Sequence, residues 1–311
     1  MLKPLDSPEK TIRLIAEVSG AGQQDVRRRL IAEAEEIGTN VYEMMKAQSI
    51  PLYVPSEKLD NFYREADGFL YETTVWNTCQ AKQHMRDFIS SRLQALGRQQ
   101  AQIFCFGDGL GFDSAYLASL GHHVRYFEPS LRCQQYAETV FRDNDVSVTT
   151  LSSLDDIQPG SLDVVVCLDV LEHVPDPQSL IRLFRSWLRP DGLLFVHAPF
   201  WFIHWTRPTH LKQNKWLSGS MKRMYSDCGF RAVDASLFWD PILLTPKENN
   251  SVSLKSLLSA FRIHAGRLLL SLGRGYSGIH MAIARRIARP PQAWVNLLKQ
   301  SATAEVPQQS G

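Results

Sequence analysis

The chain lacks several features that would place it in a special class. Its longest apolar run, residues 193–202, is interrupted by His197 and Pro199 and is too short to span a bilayer. The first residues contain no apolar signal core. The five cysteines contain no C-x-x-C pair: Cys79, Cys105, Cys133, Cys167 and Cys228. We therefore expect a reduced, cytoplasmic protein with neither a disulfide framework nor a metal site.

The chain also lacks a strong charge of either sign. Its 34 Lys and Arg against 32 Asp and Glu give a formal net charge of +2, which implies no obligatory polyanionic partner. Hydrophobic content of 44% and charged content of 21% are ordinary for a globular protein. A length of 311 residues favours one core domain with helical additions.

What the chain does contain is a strand, a glycine turn and a second strand that ends in an acid. Residues 101–106 are a short apolar run, which predicts a buried strand. Gly107, Gly109 and Gly111 follow at alternate positions, where a ligand can approach bare backbone and the free N–H groups of the next helix. The second strand ends at Glu128, whose carboxylate can accept two hydrogen bonds from a ribose diol. This pattern predicts a nucleoside-binding βαβ unit.

The glycine spacing points to one family. The pattern is G-x-G-x-G followed by Phe112, not the dinucleotide fingerprint G-x-G-x-x-G. It resembles the first motif of class I S-adenosylmethionine (SAM)-dependent methyltransferases. The family usually carries an acid two positions before the first glycine; here Cys105 stands there, and Asp108 is the candidate substitute. The resemblance implies these cofactor contacts: Gly107, Asp108, Gly109, Gly111, Glu128 and Pro129.

Two further motifs follow in the order and at the spacing of that family. Residues 161–177 closely resemble the fourth-strand motif of the subfamily that includes ubiquinone- and menaquinone-biosynthesis methyltransferases. Residues 188–199 resemble that subfamily's turn into strand five. The resemblance implies that Asp169, Val170 and His173 shape the cofactor end of the site.

The loop of residues 152–160 holds the adenine in related enzymes, often through an acid. Ser152 or Ser153 is the best-aligned position, and Asp155 is slightly displaced from it. Because aspartate is also a normal turn residue, Asp155 is equally well explained as part of the turn.

The resemblance implies an α/β fold with a Rossmann-like, doubly wound sheet that is mostly parallel, its last strand antiparallel. We predict four parts: a helical N-terminal cap over 1–98, a SAM-binding domain over 99–250, a basic amphipathic helical extension over 251–300 and a disordered tail over 301–311.

Capping residues and apolar periodicity predict four helices that the structure can test. Ser7 and Pro8 are expected to begin the first helix. We predict one long helix over residues 71–96, and further helices over 131–143 and 216–228. In the long helix, Tyr71, Trp76 and Gln80 are candidates for contact with cofactor or substrate, and packing is the competing interpretation.

Residues 251–311 differ from the rest in carrying eight Lys and Arg against one acid, Glu305. Apolar residues recur at helical spacing on one face: Leu254, Leu257, Leu258, Phe261, Ala265, Leu268 and Leu269. A basic amphipathic helix can contact an anionic membrane or a partner protein. The competing interpretation is a helix packed on the catalytic domain with its charges in solvent.

Methyl transfer to oxygen requires a group that removes the acceptor proton. Four histidines are candidates: His173, His197, His204 and His210. His210 is the first choice and His204 the second, because both follow strand five, in the region that lines the acceptor pocket in related enzymes. A structural or solvated histidine is the competing interpretation for each. The aromatic residues of 200–205 between them would suit a flat, apolar acceptor.

The sequence therefore predicts SAM-dependent methylation of a small-molecule acceptor, at oxygen, with SAM as the cofactor.

Nucleic-acid base methyltransferases generally carry an Asn/Asp-Pro-Pro-Tyr/Phe run after strand four, whereas Asp169 is followed by Val-Leu-Glu, so we expect no nucleic-acid partner. Phe112 disfavours a nicotinamide oxidoreductase. The alternative is a non-catalytic binding or scaffold protein, which Cys105 and the adenine loop motivate. The three glycines and Glu128 argue against it, because a scaffold needs none of them.

Overall fold

The computed structural model describes residues 1–250 and 257–303. Six helices precede the sheet: α1 (Pro8–Ser19), α2 (Gln23–Glu35), α3 (Thr39–Ala47), α4 (Glu57–Glu65), α5 (Gly68–Thr78) and α6 (Gln80–Ala95). The sheet region contains β1 (Gln102–Phe106), α7 (Phe112–Ser119), β2 (His123–Phe127), α8 (Leu131–Asp143), β3 (Val148–Thr150), β4 (Leu162–Leu168), α9 (Pro177–Trp187), β5 (Leu188–His197), α10 (Met221–Met224), β6 (Phe230–Ala235) and β7 (Ile242–Pro246). Three helices follow: α11 (Leu257–Leu272), α12 (Gly278–Ile287) and α13 (Gln292–Thr303).

The strands form one seven-stranded sheet in the order β3-β2-β1-β4-β5-β7-β6. Only β7 runs antiparallel to its neighbours, β5 and β6. The predicted fold class, a mostly parallel Rossmann-like sheet with an antiparallel final strand, is confirmed. The strand order reverses between β1 and β4, and ligands of such sheets bind beyond the carboxyl ends of the strands at that point.

Helices cover both faces of the sheet, which explains why β4 is apolar at every position except Asp163. All seven residues of β4 are buried. Val165 and Cys167 pack into one hydrophobic cluster, and Val164 and Val166 pack into another. Successive side chains of a strand point to opposite faces, so a strand covered on both faces is apolar at nearly every position. Asp163 is the exception, and its carboxylate accepts from the Gln102 amide and pairs with Arg189.

Two of the predicted helices agree closely with the structure. Helix α1 begins after Ser7, whose side chain accepts a hydrogen bond from the Lys10 amide, with Pro8 in its first turn. Helix α8 covers the predicted residues, 131–143, and its cap Ser130 accepts from the Cys133 amide. Both predictions are confirmed, because they depended on local capping chemistry.

The prediction of one long helix over residues 71–96 is wrong. The chain bends at Cys79, which has an extended conformation with ψ 145° and separates α5 from α6. The Thr78 hydroxyl and the Cys79 thiol both donate to the Val75 carbonyl, at 2.7 and 3.3 Å. These side chains replace backbone donors in the last turn of α5 and so favour its end there.

The prediction of a helix over residues 216–228 is also wrong. Short turns flank the four-residue α10, and Gly219 adopts a positive φ of 69°. A Cβ atom at Gly219 would lie 2.6 Å from the Arg267 carbonyl oxygen, and the Ser218 hydroxyl donates to the Leu270 carbonyl at 2.8 Å. Helix α11 packs against this segment, and that tertiary contact prevents a continuous helix.

The extension packs on the domain through a face other than the predicted apolar one. Gly266 and Leu270 of α11 are buried, whereas the predicted face is largely turned away from the domain. Four of its residues are exposed: Leu257, Leu258, Phe261 and Leu268. Leu254 lies outside the described residues, as do residues 304–311 of the predicted tail, whose residues 301–303 end α13. The four domain boundaries stay predictions.

Helix α11 is attached to the sheet region through a close contact between Gly266 and Trp239. The Trp239 indole N–H donates to the Ile263 carbonyl at 2.9 Å, and its ring lies against the Gly266 backbone. A Cβ atom at Gly266 would lie 2.2 Å from the Trp239 Cδ1 atom. Glycine is therefore required here by the close approach of the ring.

We expect Gly266→Ala to lower the free energy of unfolding by about 1–3 kcal/mol, because the added methyl group overpacks a closed contact. The usual gain in helix propensity from alanine, about 1 kcal/mol, would otherwise stabilise the protein. Urea unfolding monitored by circular dichroism measures the difference. Gly275→Ala is the matched control, since no atom lies within 4 Å of a Cβ built there. Equal stability of Gly266→Ala and wild type would contradict the contact.

Candidate active site

The glycine turn after β1 needs glycine for conformation and for space. Gly107, Gly109 and Gly111 all have positive φ, of 69°, 53° and 76°. A Cβ atom at Gly107 would lie 2.6 Å from a methyl of Val170, in the turn after β4. Non-glycine residues rarely adopt such φ values. The turn thus brings bare backbone against the segment that follows β4, as the sequence motifs predict.

Asp108 caps the helix that follows the turn. Its two carboxylate oxygens accept from the amides of Asp113 and Ser114, at 3.2 and 2.7 Å. Burial, together with the neighbouring charge of Asp113, raises the pKa of Asp108 to about 7. Both oxygens are engaged with α7, so Asp108 orders the turn from within.

Glu128 ends β2 directly behind the glycine turn. One carboxylate oxygen accepts from the Gly109 amide and the other from the Ser130 amide, both at 3.0 Å. Burial raises the pKa of Glu128 to about 7. Because a carboxylate has about four acceptor positions, two remain for donors of a ligand. Pro129 lies between Glu128 and the Ser130 cap.

The loop predicted to hold the adenine forms a short turn capped by its own side chain. The Ser153 hydroxyl accepts from the Asp155 amide at 3.2 Å and lies 3.3 Å from the Asp155 carboxylate. Asp155 is exposed. In the structure, Ser153 and Asp155 thus stabilise the turn, which was the competing interpretation. Their contact with the adenine of a cofactor stays a prediction.

Asp169, at the carboxyl end of β4, is held by three side chains. Its carboxylate accepts from the Trp76 indole at 2.9 Å, lies 3.5 Å from the Lys82 ammonium and lies 2.6 Å from His197 Nδ1. Asp169 has a positive φ of 60°, an uncommon conformation for a residue with a side chain. Sequence motifs placed Asp169 at the site, whereas its partners come from α6, α5 and β5.

His197 lies between two carboxylates. Its Nδ1 atom is 2.6 Å from Asp169 and its Nε2 atom is 2.6 Å from Asp240. Although burial opposes it, the charges of Asp169 and Asp240 raise the pKa of His197 well above its usual value. Burial likewise opposes the charge on Asp169, yet His197 and Lys82 lower its pKa. His197 and Asp169 therefore form a largely buried pair of opposite charge.

A second buried ion network supports the glycine turn from α6. The Lys82 ammonium lies 2.9 Å from the Asp113 carboxylate, which also accepts from Arg86 at 2.8 Å. All three side chains are buried, and Lys82 also reaches Asp169. Lys82 thus links the first turn of α7 to the end of β4, the two segments on either side of the predicted cofactor.

Three side chains converge beyond the end of β4. Glu172 and His173 lie in a short turn after β4, and His210 comes from the segment after β5. A carboxylate oxygen of Glu172 lies 3.8 Å from His173 Nε2 and 3.9 Å from His210 Nε2. The two imidazole rings are 4.7 Å apart, centroid to centroid. One atom from each residue lies within 4.8 Å of the others, so this cluster can also accommodate a metal ion.

Burial determines the charge of this cluster. It lowers the pKa of His173 to about 4 and the pKa of His210 well below its usual value, so both are neutral at pH 7. Burial and the charge of Asp169 raise the pKa of Glu172 to about 8. The Tyr63 hydroxyl lies 2.9 Å from His173 Nδ1. Glu172 Oε2 and His210 Nδ1 are buried without a hydrogen-bond partner among the described residues. Such atoms are costly to bury, which favours a ligand there.

The structure separates the two predicted base candidates. His210 is buried in the cluster, whereas His204 is outside it, half-buried, with its Nδ1 atom 2.9 Å from the Thr206 hydroxyl. Phe202 meets His210 edge to face at 6.0 Å and is stacked on Trp201 at 4.9 Å, centroid to centroid. An aromatic surface therefore borders His210, and the assignment of a catalytic base stays a prediction.

The three candidates in the N-terminal cap have different surroundings. Trp76 contacts Asp169 through its indole N–H. Tyr71 is fully buried with the Arg29 guanidinium 3.8 Å above its ring, and Gln80 is exposed. Of these three, only Trp76 contacts a predicted site residue.

Comparison with known proteins agrees with this geometry. A family described as a methyltransferase domain matches residues 80–234, about half of the chain. The match covers the glycine turn, Glu128 and the turn after β4. The chain belongs to the class I SAM-dependent methyltransferases.

Two similar curated proteins carry the same description. The ubiquinone biosynthesis O-methyltransferase of Xanthomonas euvesicatoria pv. vesicatoria (strain 85-10) is 34% identical over 114 residues, 35% of this chain and 46% of that protein. The protein of the same description from Cupriavidus pinatubonensis (strain JMP 134 / LMG 1197) is 35% identical over 104 residues, 32% of this chain and 41% of that protein. The methyltransferase described here thus spans less than half the length of these relatives.

One solved structure with a similar arrangement is a SAM-dependent methyltransferase from Aquifex aeolicus. It is 13% identical, has a TM-score of 0.39, and the match covers 52% of this chain and 94% of that one.

The methyltransferase family implies SAM, and the residues at the glycine turn fit it. Glu128 retains acceptor capacity for a ribose diol, and the backbone of Gly107 and Gly109 in the turn beside it is partly exposed. Gly107, Gly109 and Glu128 are therefore the residues that would hold the nucleoside part of this cofactor. Cys105, which stands where the family usually carries an acid, is buried, and the nearby Asp108 caps α7. That Asp108 substitutes for the missing acid stays a prediction.

Sequence reasoning did not find several residues of this methyltransferase site. The sequence did offer His197, as a histidine candidate at the end of strand five, and Glu172, as the neighbour of His173 in the fourth-strand motif, but it did not show their partners. Lys82, Asp113 and Asp240 gave no such signal, because only the packing of α6, α7 and the β6–β7 connection brings them to the site.

Proposed function

We propose that this methyltransferase transfers the methyl group of SAM to an oxygen of a small-molecule acceptor. The observation that carries the proposal is the cluster of Glu172 with two neutral histidines, His173 and His210. It lies directly after the turn whose Val170 contacts the glycine turn. The relatives' description as O-methyltransferases is consistent with oxygen as the acceptor atom.

In this proposal His210 accepts the proton of the acceptor hydroxyl. A neutral imidazole is the form that can take a proton, and burial keeps His210 in that form at neutral pH. Glu172, 3.9 Å from His210 Nε2, is placed to stabilise the imidazolium that forms. SAM, when bound, supplies a methyl group on a reactive sulfonium, so the protein contributes positioning and proton removal.

The residues around His210 favour a flat, apolar acceptor. Phe202 and Trp201 form a stacked pair beside the histidine. Aromatic surfaces bind planar apolar groups well, and a few polar groups then fix the orientation. A hydroxylated aromatic ring fits both requirements, with its hydroxyl at the cluster and its face against the aromatic pair.

Calorimetric titration with SAM and with S-adenosylhomocysteine tests the cofactor assignment. We expect micromolar binding to the wild type, and an affinity about tenfold to 100-fold lower for Glu128→Ala, because hydrogen bonds to a charged acceptor contribute about 1.5–3 kcal/mol each. Glu138→Ala, which removes an exposed glutamate of α8, should bind like wild type.

The pH dependence of the same titration identifies the acceptor group. Because the pKa of Glu128 is raised to about 7, its carboxylate is protonated below that pH and can accept fewer hydrogen bonds. Wild-type affinity should therefore rise as the pH increases through 7, and Glu128→Ala should not show this rise. Binding untouched by the substitution would refute Glu128 as the ribose ligand. No binding by the wild type would favour the non-catalytic scaffold protein instead.

The state of the cysteines is consistent with the predicted cytoplasmic location. All five are free and buried. A reducing compartment keeps such thiols free, so we propose that the protein acts there.

A further inference from the structure

Exposed apolar residues are concentrated in the C-terminal extension. Of the 17 large apolar side chains that are exposed in the described part of the chain, nine lie between residues 257 and 297: Leu257, Leu258, Phe261, Leu268, Leu272, Tyr276, Ile283, Ile287 and Leu297. Single exposed apolar residues are normal on a surface, whereas a contiguous group indicates an interaction site.

Part of this group forms a continuous stripe along α11. At 3.6 residues per turn, five exposed residues fall on one side of the helix: Leu257, Leu258, Phe261, Leu268 and Leu272. Their exposed fractions run from 58% to 94%. The opposite side of α11, with Gly266 and Leu270, is packed on the sheet region. The helix is thus apolar on two sides, and the described residues cover one of them.

The charge of the extension favours a partner that carries negative charge. Residues 257–300 contain no acid and seven basic residues: Arg262, Arg267, Arg274, Arg285, Arg286, Arg289 and Lys299. Arg262 pairs with Asp234, Arg274 donates to Ser218 and Lys299 pairs with Glu35. The other four arginines are exposed and have no ion-pair partner among the described residues. Arg267 lies on α11 itself, at the flank of the stripe.

We propose that the C-terminal extension binds an anionic membrane in the plane of the interface, through the α11 stripe, Arg267 at its flank and the exposed arginines of residues 285–289. Leucine and phenylalanine side chains enter the boundary of the acyl chains, while arginines contact anionic headgroups. At 16 residues α11 is too short to cross a bilayer, and no helix in the described ranges, 1–250 and 257–303, is long and apolar enough to do so. The inference goes beyond the proposed function and does not depend on methyl transfer.

The helices of the proposed membrane-binding surface lie next to the candidate active site. Trp239 anchors α11, and the next residue, Asp240, bonds to His197. On α12, the His280 ring lies 4.9 Å from Trp201, centroid to centroid, and Trp201 belongs to the aromatic pair beside His210. Helices α11 and α12 of the extension therefore contact residues that border the site, so membrane binding would place the site near acceptors dissolved in the membrane.

Co-sedimentation of the full chain with vesicles tests the proposal. The probes are vesicles of neutral phosphatidylcholine and vesicles containing 30% phosphatidylglycerol, a composition chosen to give roughly the surface charge of an anionic leaflet. We expect at least about tenfold stronger binding to the anionic vesicles, weakened by raised salt. Equal binding to both compositions, or no binding to either, would overturn the proposal.

Two variants with matched controls assign the binding to this surface. Phe261→Gln/Leu268→Gln should weaken vesicle binding by at least about tenfold, and Leu120→Gln/Leu131→Gln, at exposed leucines elsewhere, should not. Arg267→Gln/Arg286→Gln should weaken binding about fivefold per arginine, and Arg142→Gln/Lys222→Gln, which removes the same charge from other exposed positions, should have a much smaller effect.

A second copy of the chain is the main alternative occupant of the stripe. In that case, sedimentation velocity would show a dimer that Phe261→Gln/Leu268→Gln dissociates, and vesicles would not bind. That result would overturn the membrane proposal. Because vesicle binding needs neither SAM nor turnover, its failure would leave the methyltransferase assignment untouched.

Discussion

His210→Ala should lower kcat by about 10²–10⁴-fold, the usual contribution of a positioned general base. His210 is buried beside Glu172 and His173, and burial keeps it neutral and able to accept a proton. Affinity for SAM should stay within about threefold of wild type, because the residues proposed to hold the nucleoside lie at the glycine turn. Steady-state kinetics with an accepted hydroxyl compound and calorimetry with SAM measure the two quantities.

His204→Ala is the matched control for this prediction. His204 follows the same strand and was the second candidate from sequence, yet it bonds to Thr206 outside the cluster. Its replacement should change kcat by less than about tenfold. A larger loss for His204→Ala than for His210→Ala would exclude His210 as the base.

Glu172 supplies a second readout through pH. Because its pKa is raised to about 8, its side chain is neutral below that pH and ionised above it. Only the ionised form stabilises the imidazolium of His210, so kcat should rise as the pH increases through 8. Glu172→Gln should remove this rise.

The same three residues can bind a divalent cation, and chelation separates that role from base catalysis. Treatment with EDTA should leave activity unchanged if His210 is the base. Loss of activity on chelation, restored by Zn²⁺ or Mg²⁺, would show instead that a cation lowers the pKa of the acceptor hydroxyl.

Lys82→Met should lower the free energy of unfolding by about 3–5 kcal/mol, the usual effect of removing one member of a buried ion pair. The Lys82 ammonium lies 2.9 Å from Asp113 and 3.5 Å from Asp169. Without the Lys82 ammonium, the carboxylates of Asp113 and Asp169 lose a positive charge that pairs with them. Urea unfolding followed by circular dichroism measures the loss.

Lys222→Met is the control for that substitution. Lys222 pairs with Asp227 at 3.2 Å, but both side chains are exposed, at 83% and 47%. Surface pairs contribute about 0–1 kcal/mol, so this variant should unfold close to wild type. Equal effects of the two substitutions would mean that the Lys82 network does not stabilise the fold.

The features that the sequence predicted well depend on local chemistry. Ser7 and Ser130 cap helices at the expected positions because a short hydroxyl side chain reaches an amide in the next turn. Gly107, Gly109 and Gly111 adopt positive φ, as a tight turn after a strand requires. The almost entirely apolar run of β4 indicated a strand covered on both faces, and the burial of all seven of its residues confirms it.

The predictions that were wrong or incomplete depend on contacts between distant residues. The helix over residues 71–96 ends at Cys79 because side chains bond back to its carbonyls, and the helix over 216–228 is interrupted where α11 packs. Helical periodicity alone cannot show either interruption. The outward direction of the α11 stripe has the same origin, since the Gly266–Trp239 contact selects which apolar side is covered.

By itself the sequence determined the fold class, the family and the glycine turn with Glu128, because alternation, glycine conformation and motif spacing are properties of neighbouring residues. Only the tertiary structure decided that Lys82 joins Asp113 to Asp169, and that His210 rather than His204 meets Glu172 and His173. Ion pairs and proton acceptors act over distances of a few ångströms. Those distances are set where strands and loops meet at the carboxyl edge of the sheet, and no local pattern in the chain encodes them.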